Sequence, residues 1–194
     1  MPQLRHLLLS WGGATVTAPR PLPVARLLDQ LRLMLMGLDT ESFPYDAAAG
    51  AFRVADGLCT EHCTPEAVAA RCAEWLTCGS RCRRVAALVA AGGGGCLTGR
   101  AFAAALEPCL RGHRAALAEL RAATLAEFGR RVRPLVRLMA LLADVCCLTA
   151  GEAQLPQKMA LVSHLYERLV GASERAEWAL LAHLFTTTVA PYLG

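Results

Sequence analysis

A chain of 194 residues, 55% hydrophobic and 19% charged, carries enough apolar side chain to bury a sizeable core, which excludes an intrinsically disordered segment. Its net charge is only +4, and its arginines are scattered along periodic stretches rather than interleaved with aromatics, which excludes a nucleic-acid footprint. Nine cysteines, an odd number in a chain long enough to fold without staples, point to reduced thiols in the cytosol rather than to a disulfide framework.

Residues 1–23 hold Gly12, Gly13, Pro19, Pro21 and Pro23 with no lasting period and are expected to be a flexible lead-in. The opening MPQLRHLLLSWGG lacks a signal-peptide core and cleavage site, so the chain is expected to be unsecreted. Asp144 and the run Gly92 to Gly95 interrupt the two most apolar stretches below the roughly 20 residues a membrane span needs, so a soluble protein is expected.

From Val24, the residues Leu27, Leu28, Leu31 and Leu35 recur at helical spacing, and Gly37 supplies the C′ residue that ends the helix. Phe43 to Val54 mixes Pro44, Asp46 and Gly50 with aromatic and β-branched residues and predicts one short irregular hairpin, the only β structure expected. Thr64, Pro65 and Glu66 are a hydroxyl N-cap, a first-turn proline and an acid at the positive end of the dipole; the helix they open is expected to run to Ala90. Val68, Cys72, Trp75 and Leu76 mark its first buried face and Val85, Leu88 and Val89 its last, with Gly79 expected to loosen its middle. Gly92 to Gly95 read as a flexible connection. Phe102, Leu106, Cys109, Leu110, His113, Leu117 and Leu120 then form a helical stripe that Pro108 and Gly112 should kink.

Thr124 to Cys147 is the most regular stretch, and the chain is expected to be organised around it. Thr124 with Glu127 is a capping box, and Leu125, Phe128, Val132, Leu135, Met139, Leu142 and Cys146 form one buried stripe. Val136, Leu138, Leu141 and Val145 widen the apolar surface, so several helices are expected around it, with Pro134 bending but not breaking the helix. After a loop at Gly151 to Leu155, Pro156 is expected to open a helix through Met159, Val162, Leu165, Tyr166 and Leu169. Ser173 and Glu174 begin the last helix, with Trp178, Leu181, Phe185, Val189 and Tyr192 along one side. The fold class is therefore all-α, an irregular multi-helix bundle with at most one short β-hairpin.

The residues best suited to chemistry are Cys59, His62 and Cys63, followed by Cys72, Cys78 and Cys82, since thiolates and imidazole are the ligands of tetrahedral zinc. Their C-x3-C spacings depart from zinc knuckles, and buried structural cysteines are the better reading. No nucleophile motif, oxyanion-hole sequence or phosphate loop accompanies them, so no enzyme is expected, and no catalytic, cofactor-binding or metal-binding residue is assigned. His113, His164 and His183 sit within amphipathic stretches and read as packing residues. Arg130, Arg131, Arg133 and Arg137 are a wet helix face that can also meet an acidic partner.

The order of segments resembles the N-terminal domain of the gamma-tubulin complex component family, closest to components five and six. The likeness runs over residues 24–194: the opening helix LLDQLRLMLMGLD, the extended Phe52 to Val54, TPEAVAARCAEWLTCGSRCRRVAALV, RAFAAALEPCLRGHRAALAEL, TLAEFGRRVRPLVRLMALLADV, MALVSHLYERLV and LLAHLFTTTVAPYL. Leu165 with Tyr166 and Pro191 to Leu193 are the most family-like local features. The resemblance implies a helical scaffold that packs laterally against other components in a ring supporting microtubule nucleation at centrosomes, spindle poles and other organising centres. It places the protein in the cytoplasm, on the cytoskeleton at such a centre. In that family gamma-tubulin is held mainly by a separate C-terminal domain, which these residues do not include, so only indirect contact with gamma-tubulin is expected. The reading from another class is a small cytosolic cysteine-rich protein, zinc-binding or redox-responsive.

Overall fold

The computed structural model of the protein describes residues 20–60, 63–148 and 155–193. Within them lie β1 (Arg20–Pro21), α1 (Val24–Leu35), β2 (Tyr45–Asp46), β3 (Ala51–Phe52), β4 (Leu58–Cys59), α2 (Pro65–Ala90), α3 (Leu97–Glu119), α4 (Leu125–Val145), α5 (Met159–Gly171) and α6 (Arg175–Val189). Short 3-10 turns fill Gly92–Gly94 and Ala190–Tyr192. The result is a mostly-α multi-helix fold.

Local chemistry sets several of the helix ends. Gly37, at φ +86°, stands at C′ of α1, where its N–H donates to the Met34 carbonyl at 2.9 Å while that of Leu38 donates to Leu33 at 3.1 Å, the paired bonds of a Schellman ending. The Thr64 hydroxyl accepts from the Ala67 N–H at 3.3 Å to start α2. At the head of α4 the Thr124 hydroxyl accepts from Glu127 N–H at 3.2 Å, and the Glu127 carboxylate accepts from Ala123 N–H at 2.9 Å. The return bond thus falls one residue outside the usual capping box. Both α3 and α4 continue unbroken through Pro108 and Pro134.

The expected hairpin is present, with Tyr45 opposite Phe52 and Asp46 opposite Ala51. It docks on α2 through the Phe52 N–H, which donates to the Ser80 hydroxyl at 2.9 Å, and through Arg83, stacked 4.0 Å above the Tyr45 ring. A parallel pair joins it, β1 with β4, which moves the domain boundary. Arg20 N–H donates to Gly57 and Leu22 N–H to Cys59, and Leu22 is buried, so residues 20–23 belong to the folded unit rather than to a lead-in. The rest of that lead-in lies outside the described residues.

The centre of the bundle differs from the expectation. α2 packs against α1, α3 and α4, and α3 in turn carries α6, with α5 laid mainly on α6. α4 is therefore a flanking helix, seated on α2 where Trp75 and Phe128 meet edge to face at 5.3 Å. Phe128, Val132, Met139, Leu142 and Cys146 are buried as expected, but Leu135 is half-buried while its neighbour Val136 is buried. Leu138 and Leu141 also remain half-exposed, because α6 does not close over that side of α4.

Gly79 tightens α2 rather than loosening it. A Cβ there would lie 2.4 Å from Met34 Sδ and 2.5 Å from the Met34 carbonyl oxygen, so its hydrogen lets α1 cross at backbone distance. The glycine run is likewise a specific turn: Gly92 to Gly95 all take positive φ, and buried Gly93 abuts Gly99, whose carbonyl oxygen a Cβ would meet at 2.1 Å. The helix expected from Pro156 begins at Met159 instead, because Lys158, at φ 55°, turns the chain out of helical geometry just ahead of it.

Candidate functional site

The cysteines of α2 behave as packing residues. Cys72, Cys78 and Cys82 are buried on α2, and that burial pushes their thiols up to about 12, about 12 and about 11, well away from ready thiolate formation. Cys59 lies in β4 with Cys63 just beyond it, while His62 lies outside the described residues. Among the described residues no group of three or more His, Cys, Asp or Glu side chains is placed to hold a metal ion.

The histidines divide. His113 is buried with Nε2 3.3 Å from the Leu35 carbonyl oxygen, whereas Nδ1 has no hydrogen-bond partner among the described residues. Nε2 of His164 is 3.1 Å from the Val145 carbonyl oxygen and 3.8 Å from Cys147 Sγ. His183 is exposed.

One thiol escaped the sequence reading. Cys96 caps α3, its sulfur accepting from Gly99 N–H at 3.3 Å and donating to Gln157 Oε1 at 3.2 Å. The Gly99 and Lys158 backbone amides favour its thiolate and hold its pKa below the ordinary cysteine value. Serine or threonine is the usual sign of a cap, so a cysteine after four glycines did not read as one.

The arginines of α4 separate into two settings. Arg131 pairs with Glu127 at 2.6 Å and donates to the Arg121 carbonyl, closing one side of a cleft of about 410 Å³ beneath α1. Arg130, Arg133 and Arg137 instead line a larger groove of about 630 Å³ between α4 and α6. Pro134, Leu138 and Leu141 give that wall its apolar surface, and the α6 side brings Glu174, Glu177 and Leu180. Among the described residues no ion pair within 4 Å joins the two walls. The spacing of the arginines was legible, but the acidic wall facing them depends on where α6 comes to rest.

A second surface lies on the outermost pair, α5 and α6. Tyr166 is 55% exposed, Val170 68% and Trp178 53%, while Leu165, Leu181 and Leu184 face the core. The Tyr166 ring leans on Phe185 with centroids 6.0 Å apart. Trp178, expected on the buried stripe of α6, therefore stands largely in solvent, since Leu181, Leu184 and Thr188 take the inward face. Among the described residues no helix is long and apolar enough to cross a membrane. No family model and no curated protein matches the chain.

Proposed function

We propose that the chain is a scaffold module of a gamma-tubulin ring complex, making lateral helix-to-helix contacts between components and so supporting microtubule nucleation. The observation that carries this reading is the apolar surface of α5 and α6, where Tyr166, Val170 and Trp178 stand exposed. Large aromatic and aliphatic side chains held outward on paired helices supply the anchors a protein interface needs. The resemblance of the segment order to that of gamma-tubulin complex components supports the choice of partner. The mechanism is geometric: each lateral contact fixes the position of the next subunit, so gamma-tubulins carried by neighbouring components are gathered before a microtubule starts, and nucleation avoids part of the association cost. Gamma-tubulin is contacted indirectly, at a cytoplasmic microtubule-organising centre.

A pull-down of purified chain against the N-terminal regions of individual components, paired with isolated gamma-tubulin, tests the reading. Capture of at least one component region without capture of gamma-tubulin is expected. Binding to none of the component regions would refute it.

A further inference from the structure

We propose that the groove between α4 and α6 receives an amphipathic helix from a partner protein, lined with acids along the edge that meets α4 and with bases along the edge that meets α6. The inference rests on the scaffold reading only for the identity of the protein that supplies the helix.

Charge and spacing define the occupant. Arg130, Arg133 and Arg137 lie at i, i+3 and i+7, one row on α4 that extends about 10 Å at the helical rise. Pro134, Leu138 and Leu141, at i, i+4 and i+7, form an apolar row beside it. Glu174 and Glu177, one turn apart, supply the opposite charge on the α6 side, with Leu180 a turn further on. The groove is walled by α4 on one side and by the head of α6 on the other and opens to solvent, so an incoming helix would seat one face in it. An apolar stripe on the incoming helix would cover Leu138, Leu141 and Leu180, and flanking charges would reach both walls. A phosphate-rich polymer suits the arginines but is repelled by Glu174 and Glu177, and a uniformly acidic helix meets the same repulsion. The charges on both walls are available, since among the described residues neither the three arginines nor the two glutamates form an ion pair within 4 Å.

The test uses the whole chain and three fluorescein-labelled helical peptides of about 15 residues, long enough to be partly helical alone. All share a leucine stripe; one carries Glu on one edge and Lys on the other, one Glu on both, one Lys on both. Fluorescence anisotropy should rank the mixed-edge peptide first. Arg133→Glu with Arg137→Glu should weaken it by about tenfold or more and make the all-Lys peptide the best ligand. Glu174→Lys with Glu177→Lys should transfer the preference to the all-Glu peptide. These gains of binding also show that the variants are folded. Equal binding of the three peptides, no binding, or indifference to both reversals would overturn the proposal. So would displacement of the mixed-edge peptide by polyphosphate, or a self-dimer in sedimentation that Arg133→Glu with Arg137→Glu abolishes, since a second copy would then fill the groove. Peptide binding without capture of any component sinks the scaffold reading alone. Component capture that ignores both reversals, with no peptide bound, sinks the groove assignment alone.

Discussion

His113 is held at the junction of α3 and α1 with one ring nitrogen on the Leu35 carbonyl and the other without a partner among the described residues. Burial lowers its pKa below the ordinary histidine value; the Leu35 carbonyl opposes that effect and the Arg114 charge adds to it. The unfolded chain therefore takes up a proton near pH 6.5 that the folded chain still refuses. Stability is complete above that value and falls as the pH drops through it, by at most about 1.4 kcal/mol per pH unit for one proton, until the depressed folded pKa is reached. Urea midpoints at pH 7.5 and 5.5 should show this loss in the natural chain. His113→Gln removes the titrating ring and should flatten the dependence, even though it costs stability at both values. An equally steep fall in that variant would place the responsible group elsewhere.

Elements whose ends are set by their own residues were legible in the sequence, and those set by neighbours were not. Thr64, Thr124 and Gly37 act within one turn of chain, and α1, α2 and α4 begin or end where those residues indicate. The start of α5 is governed by Lys158, whose positive φ is unusual for a residue with a side chain, and Pro156 gave a misleading signal. Gly79 read as a weak helix former because its reason, the Met34 backbone pressed against it, comes from another helix. The arginine wall of the groove was readable as spacing, while the groove itself was not, because periodicity does not say which side of α4 is left uncovered. The rotation of α4 can be tested directly. Val136→Asp would bury a carboxylate in the apolar core, with an expected loss of several kcal/mol, whereas Leu135→Asp leaves its charge within reach of water and should cost clearly less. Thermal melts of the two variants should differ in that order. The reverse order would mean that the buried face is centred on Leu135.

At the scale of the whole molecule, the two candidate surfaces differ in the force that would hold a partner, so salt separates them. The face of α5 and α6 presents Tyr166, Val170 and Trp178, and contacts made by burying such side chains are not screened by ions. The groove relies for its selectivity on the charges along both walls, whose reach shrinks to a few ångströms near molar salt. If lateral assembly uses the apolar face, capture of a component region should survive about 0.5 M salt, while the mixed-edge peptide should lose its lead over the all-Glu and all-Lys peptides at the groove. Under the same conditions Trp178→Ser with Val170→Ser should weaken capture by about thirtyfold or more, the loss expected when a central aromatic anchor is removed. Because both side chains already stand largely in solvent, the melting temperature should scarcely move. That combination distinguishes a lost interface from a lost fold. A complex that dissolves at this salt concentration, or that tolerates both substitutions, would remove the α5–α6 face from the lateral contact and leave the charged groove to carry it.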